Sequence, residues 1–209
     1  IEGNDGNDTI EGGEGNNELK GGSGDDIINA GSGNDKIWGG DGKDTITAGD
    51  GDNEINAEGD NDTITSGVGN DNIDAGDGND TVDSGRGNDI INAGDGVDTV
   101  RAGGGDDTIA GGLGNDILYG EGDNDNISGN EGDDTIYGGD GIDTIYGNEG
   151  DDTIYAEGGL SSTIDGGSGA DTITGGVGAD NIGGGSDDDV ITGGAGDDVI
   201  RGDSGDDNI

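Results

Sequence analysis

The chain has 209 residues, of which 51 are acidic and 6 basic, so its formal net charge at pH 7 is -45. Only 35 residues are Leu, Ile, Val or Phe, a composition typical of a disordered chain. The acidity excludes nucleic acid as a partner, and no apolar run is long enough to span a membrane. The absence of Cys excludes disulfides and thiolate metal sites, and the absence of His removes the commonest general base.

Aliphatic residues nevertheless recur at every ninth position along the chain. The series runs in register from Ile1 to Ile154, and it resumes at Ile164 after one inserted residue. A random acidic linker has no reason to keep such a register. We therefore predict one folded repeat array over residues 1–209, with the insertion near 157–163, and we interpret it as a segment of a longer repeat protein.

Each repeat is predicted to hold a glycine-rich turn of six residues and a strand of three. In the unit Gly21–Asn29, the strand turns Ile28 toward the core. One unit cannot bury its aliphatic residue alone, so two units should form one coil of a flattened solenoid with a core one residue thick. The sequence therefore predicts an all-β fold, a parallel β-roll or β-solenoid with two nonapeptides per coil and about 11.5 coils.

Asp stands two positions before nearly every repeat aliphatic residue. Equivalent turns lie 18 residues apart, so these carboxylates should form one column on each edge of the solenoid. Carboxylates about 4.8 Å apart repel one another unless cations lie between them. Oxygen ligands select Ca²⁺ over transition metals, and Mg²⁺ is disfavoured because it demands tight octahedral geometry. The candidate ligands on one edge are Asp8, Asp26, Asp44, Asp62, Asp80, Asp98, Asp116, Asp134, Asp152, Asp171, Asp189 and Asp207, and on the other Asp35, Asp71, Asp89, Asp107, Asp125, Asp143, Asp180 and Asp198.

Backbone carbonyls of the turn glycines are the second predicted set of ligands. Glycine readily adopts positive φ and can aim carbonyl groups inward. Filling all 21 gaps between stacked turns with Ca²⁺ would change the net charge from -45 to -3. The candidate carbonyls belong to Gly22, Gly24, Gly40, Gly42, Gly76, Gly78, Gly94, Gly96, Gly112 and Gly114.

Several turns depart from the pattern. Asn17, Asn53 and Ser162 replace Asp on one edge, so we expect about 16 strong calcium sites and 21 at most. Asp also replaces a turn glycine in three repeats, where we predict an altered backbone geometry. Those three residues are Asp60, Asp123 and Asp187.

The repeat Gly-Gly-x-Gly-x-Asp-x-aliphatic-x resembles the nonapeptide of RTX (repeats-in-toxin) proteins over the whole chain. The resemblance implies a parallel β-roll with Ca²⁺ between stacked turns, held by Asp side chains and turn carbonyls. It also implies a secreted bacterial protein, exported from a low-calcium cytosol by type I secretion. The pattern is nearly unbroken at Gly21–Asn29, Gly39–Thr47, Gly111–Tyr119, Gly166–Thr174, Gly175–Gly183 and Gly193–Arg201.

We therefore predict a calcium-binding structural segment of an extracellular protein that folds on Ca²⁺ binding after export. No enzyme activity is expected, because every Asp occupies the same repeat position. One alternative is a self-assembling filament or surface-layer segment, whose partners are copies of itself or further repeats end to end. Another is an adhesin or an ice- or glycan-binding module, with an outward row of Thr or the stacked Tyr119, Tyr137 and Tyr155 as its surface.

Overall fold

The computed structural model describes residues 1–158 and 160–209, and all regular secondary structure within them is β-strand. Gly159, which belongs to the predicted insertion, lies outside the described residues. The strands are β1 (Glu2–Asp5), β2 (Thr9–Glu14), β3 (Glu18–Ser23), β4 (Ile27–Ser32), β5 (Lys36–Asp41), β6 (Thr45–Asp50), β7 (Glu54–Gly59), β8 (Thr63–Val68), β9 (Asn72–Asp77), β10 (Thr81–Arg86), β11 (Ile90–Asp95), β12 (Thr99–Gly104), β13 (Thr108–Leu113), β14 (Ile117–Gly122), β15 (Asn126–Glu131), β16 (Thr135–Asp140), β17 (Thr144–Glu149), β18 (Thr153–Glu157), β19 (Thr163–Ser168), β20 (Thr172–Val177), β21 (Asn181–Ser186), β22 (Val190–Ala195) and β23 (Val199–Ser204).

The strands alternate between two parallel sheets. The odd-numbered strands form a 12-stranded sheet and the even-numbered strands an 11-stranded sheet, each in chain order. Each strand pairs with the strand one coil away, as Ile91 of β11 does with Ile109 of β13, 18 residues further on. Two repeats therefore make one coil, and the predicted parallel β-solenoid is confirmed.

The strands are longer than predicted. Apart from β1 and β18, each strand has six residues. Except between β18 and β19, the turn between two strands has three residues, in most cases of the form Gly-x-Asp. The glycine-rich segment that was predicted to be turn continues the ladder, since Gly94 pairs with Gly112 and Asp95 with Leu113. The prediction of three-residue strands is wrong because, in a solenoid, each residue of the glycine-rich segment can pair through its backbone with the equivalent residue one coil away.

The core contains two residues from each repeat rather than the predicted one. Ile91 is 1% exposed, and Ala93, two positions later on the same strand face, is fully buried. The second position is Ala, Ser or Gly in every repeat, from Gly3 to Gly202. Little space is left at this position, since a Cβ added at Gly21 would collide with the Asp26 carboxylate.

The inserted residue is absorbed locally, so the stacking continues on both edges. From β17 to β19 the pairing offset becomes 19, and Thr144 pairs with Thr163. On the other sheet Thr153 pairs with Thr172. The predicted continuation of the aspartate columns past the insertion is therefore confirmed. Among the described residues, no helix has the length and apolarity to cross a membrane.

Candidate metal centres in the stacked turns

The predicted aspartates lie at the last position of each three-residue turn, immediately before a strand. The side chains are directed inward, and Asp98 and Asp116, for example, are at most 1% exposed. Only near the ends of the stack, at Asp8, Asp198 and Asp207, are these residues half-buried. The structure thus brings all twenty predicted aspartates into two columns, one on each edge.

In every one of these aspartates except Asp8, one carboxylate oxygen accepts a hydrogen bond from the preceding coil. The backbone N–H of Asp98 donates to Oδ1 of Asp116 at 2.8 Å, and the N–H of Asp80 donates to Oδ1 of Asp98 at 2.7 Å. The ladder also passes through the exceptions, since Asn53 Oδ1 and Ser162 Oγ accept equivalent bonds. Each coil is therefore tied to the next by a side chain as well as by the sheets.

The second oxygen, Oδ2, is buried without a hydrogen-bond donor in eighteen of these aspartates. A buried acceptor without a partner costs about 1–3 kcal/mol, and more when it is charged. Repeated eighteen times, such a cost requires a proton or a cation near each carboxylate. The eighteen residues are Asp8, Asp26, Asp35, Asp44, Asp62, Asp71, Asp80, Asp89, Asp98, Asp107, Asp116, Asp125, Asp134, Asp143, Asp152, Asp171, Asp180 and Asp189.

The two asparagines in the column show which groups face this position. Nδ2 of Asn53 donates to the carbonyl oxygens of Gly51, at 2.9 Å, and Gly49, at 3.2 Å. Nδ2 of Asn17 donates to the carbonyl oxygen of Gly15 at 2.7 Å. An Asp in the same conformation would place its carboxylate oxygen against these carbonyl oxygens. All of these atoms are acceptors, and a cation bound between them makes the arrangement favourable.

The predicted glycine ligands occupy these same places, two and four residues before an Asp. In the turn of Asp26 they are Gly24 and Gly22, and both have a φ of 119°. A Cβ on Gly22 would collide with the Asn4 carbonyl of the preceding coil, so close stacking requires glycine. All ten predicted glycines have positive φ, between 103° and 157°, which confirms the predicted backbone conformation.

The three turns in which Asp replaces glycine keep the left-handed conformation. Asp60, Asp123 and Asp187 have φ angles of 72°, 74° and 83°. Asp tolerates this region better than most residues because its short side chain can form local hydrogen bonds. The predicted change in backbone geometry is seen in φ angles that are smaller than those of the turn glycines.

A second ladder runs along the middle residue of the turns, and the sequence analysis missed it. Oδ1 of Asn88 accepts from the N–H of Asp106 at 3.2 Å, and Oδ1 of Asp106 accepts from the N–H of Asn124 at 2.9 Å. The backbone N–H and the side-chain amide of Asn124 both donate to the exposed Asp106 carboxylate and lower the pKa of this group. The ladder runs opposite to the buried one, and the frequent Asn and Asp at this position were its signal in the sequence.

Burial has the opposite effect on the inward aspartates. It raises the pKa of Asp62 to about 8, partly offset by the N–H of Asp44 and reinforced by the neighbouring carboxylates of Asp44 and Asp80. The pKa values of Asp107 and Asp116 are raised to about 7 for the same leading reason. Without a counter-charge, these carboxyls are only partly ionised at neutral pH.

The donor set fits a hard cation. Among the described residues, no three acidic, His or Cys side chains converge on one point, so carbonyls would have to complete any coordination shell. Carboxylate and carbonyl oxygens are the ligands that Ca²⁺ prefers. The residues present therefore fit calcium.

The fold and these edges define a class of protein: a parallel β-roll with stacked, buried carboxylates in glycine-rich turns. The sequence profile of the RTX calcium-binding nonapeptide repeat matches the chain in overlapping stretches that together cover residues 2–209. The chain therefore belongs to the RTX calcium-binding nonapeptide repeat family, whose repeats bind calcium. A comparison with curated proteins found no match.

Proposed function

We propose that this chain is a structural rod of an extracellular bacterial protein and that it folds on calcium binding after export. The observation that carries the proposal is the set of eighteen buried Asp Oδ2 atoms without a donor. The carboxylates are equivalent along the stack, which supports a structural rather than a catalytic role. Membership of the RTX repeat family supports the calcium specificity.

The ligands would be the Asp Oδ2 atoms and the carbonyl oxygens two and four residues earlier. Calcium, when bound, supplies the positive charge that these groups lack. At Asn17 and Asn53, an amide group already donates to the turn carbonyls, and Ser162 contributes no carboxylate. These exceptions support about 16 strong sites, with 21 as the upper limit.

The net charge of -45 couples folding to the ion. In a low-calcium cytosol, mutual repulsion of the carboxylates keeps the chain open. Outside the cell, neutralisation of the two columns allows the coils to stack, so the free energy of binding becomes free energy of folding. Such a chain would pass an export channel unfolded and become rigid beyond it.

A calcium titration followed by far-UV circular dichroism tests the proposal, starting from the chain in chelator. We expect a cooperative transition from coil to β structure at about 0.1–1 mM Ca²⁺, and no such transition with Mg²⁺ at the same concentrations. A strong β signal in chelator that calcium leaves unchanged would contradict the proposal. Sedimentation of the calcium-loaded chain would then separate a monomeric rod from the filament alternative.

A further inference from the structure

Two serines occupy the inner row of small residues, where every other repeat has Ala or Gly. They are Ser66 of β8 and Ser84 of β10, which lie at equivalent places in adjacent coils. Both side chains are fully buried. A buried hydroxyl group costs free energy unless it finds polar partners, so the groups around these two hydroxyls indicate their role.

The proton of each hydroxyl is used by a carbonyl group of the next coil. Oγ of Ser66 donates to the carbonyl oxygen of Ser84 at 2.7 Å, and Oγ of Ser84 donates to that of Ala102 at 2.8 Å. A hydroxyl group has one proton to donate and two lone pairs that accept. Each serine oxygen therefore lies between two coils, and what it offers to further groups is its lone pairs.

Each hydroxyl also lies beside an inward carboxyl group, five residues further along the chain. A Cβ added at Gly21, in the same row, would collide with Oδ2 of Asp26, so side chains in this row point at that oxygen. Burial raises the pKa of Asp71, and the N–H of Asn53 and the hydroxyl of Ser66 lower it. The Ser66 hydroxyl is therefore a close neighbour of the Asp71 carboxyl.

One proton cannot serve both acceptors. The distance of 2.7 Å assigns the Ser66 proton to the carbonyl of Ser84, so the hydroxyl oxygen and the Asp71 carboxylate face each other as acceptors. The buried Oδ2 atoms of Asp71 and Asp89 have no donor. Ser84 and Asp89 repeat the arrangement one coil further on. A cation makes such a cluster of buried oxygen atoms favourable.

The asparagine in an equivalent turn shows that the carbonyl bound by each serine faces the same position. Nδ2 of Asn17 points to the carbonyl oxygen of Ala30, 13 residues further on, at 3.5 Å. The residue 13 positions after Asp71 is Ser84, whose carbonyl accepts from the Ser66 hydroxyl. The hydroxyl oxygen is thus inserted between this carbonyl and the carboxylate, beside the predicted position of the ion.

We propose that the hydroxyl oxygens of Ser66 and Ser84 are further calcium ligands. The first serves the gap that follows the turn of Asp71, and the second serves the gap that follows the turn of Asp89. Oxygen atoms are the ligands that Ca²⁺ prefers, and the repeats with Ala or Gly lack this one. These two gaps should therefore bind calcium more tightly than they would without the hydroxyls. This inference rests on the proposed function, since it requires calcium in the columns.

The double variant Ser66→Ala with Ser84→Ala tests the proposal. It removes both hydroxyls and leaves a residue that the chain already has in this row, as at the buried Ala75. Bound calcium is measured by equilibrium dialysis at free calcium concentrations at which circular dichroism shows both chains folded. At the lowest of these, the variant should bind about one to two fewer ions than the unmodified chain, and at saturation the same number.

The matched control is Ser23→Ala with Ser32→Ala, which removes two hydroxyls from exposed positions. It should bind as much calcium as the unmodified chain at every concentration. Equal binding by the buried and exposed double variants would overturn the proposal and would leave the two hydroxyls a purely structural role between coils.

A crystal structure of the calcium-loaded chain provides an independent test. We expect both serine oxygens to lie about 2.3–2.6 Å from a calcium ion. Serine oxygens outside this range of every bound ion would also overturn the proposal. The outcomes separate this inference from the proposed function. A chain that binds no calcium at all would contradict both, whereas calcium binding that is independent of the buried serines would contradict only the role of Ser66 and Ser84.

Discussion

At the residue scale, the exchange of Asp for Asn in one column shows why the other turns need a cation. The Asn53 amide donates to the carbonyls of Gly49 and Gly51, and the equivalent carbonyls stand four and two residues before each Asp in the other turns. An ionised Asp cannot donate, so the same geometry becomes a cluster of acceptors. The chain thus contains both the calcium-requiring turn and an uncharged substitute for it.

The substitution Asp116→Asn tests this interpretation. The new amide should donate to the carbonyls of Gly114 and Gly112, and the gaps above and below should lose calcium affinity. Equilibrium dialysis is expected to show about one to two fewer bound ions per chain. The control Asp133→Asn removes the same charge from an exposed turn position. Asn is tolerated at this position, since Asn115 occupies the equivalent place one coil earlier and accepts a hydrogen bond from the N–H of Asp133. Equal losses of calcium in both variants would contradict the assignment of Asp116.

At the element scale, each strand contributes an aliphatic residue and a small residue to a thin core. The exposed fraction alternates along the strand, and Ile90 and Ile91 of β11 are 57% and 1% exposed. The ladder partner of Ile91 is Ile109, one coil away. The stacked aliphatic residues therefore pack against one another along the rod, and truncation of one side chain removes contacts with both neighbouring coils.

The adjacent isoleucines provide a matched pair of variants. Ile91→Ala leaves a cavity in the core and should lower the free energy of unfolding by about 2–5 kcal/mol. Ile90→Ala removes the same atoms from an exposed position and should change it by about 0.5 kcal/mol or less. Urea unfolding in saturating calcium measures both. A similar effect of the two substitutions would show that stability depends on the turns and not on the aliphatic ladder.

The sequence predicts the coil, the register and the columns, because a nine-residue period determines which residues are stacked. It did not predict that the strands extend into the glycine-rich segment. That pairing depends on contacts between coils, whereas the residues Gly94 and Asp95 have low strand propensity locally. The role of the small residue at Ala93 and the ladder through Asp106 also emerge only when coils lie against one another. Both features had signals in the sequence. The position of Ala93 is restricted to small residues in all repeats, and the middle position of the turns has an excess of Asn and Asp.

At the scale of the whole molecule, the stability of the rod depends on the summed charge of its buried carboxyls. Burial raises the pKa of Asp62 to about 8, and those of Asp125 and Asp152 to about 7. In the unfolded chain, an Asp has a pKa of about 3.9. Between these values the folded state binds more protons than the unfolded state, so the free energy of unfolding falls as the pH rises.

Acidification should therefore partly replace calcium. In chelator, β structure measured by circular dichroism should increase as the pH is lowered from 8 to 5, because protons neutralise the inward aspartates in the folded state only. The calcium concentration at the midpoint of folding should fall over the same range, because protonated folded chains add to the calcium-bound ones while the unfolded chain stays ionised. The position of the acid transition identifies the groups responsible. A midpoint above about pH 5.5 corresponds to the buried aspartates, whereas one near pH 4 corresponds to exposed carboxylates with ordinary pKa values. The second result would mean that general surface repulsion, and not the two buried columns, keeps the metal-free chain unfolded.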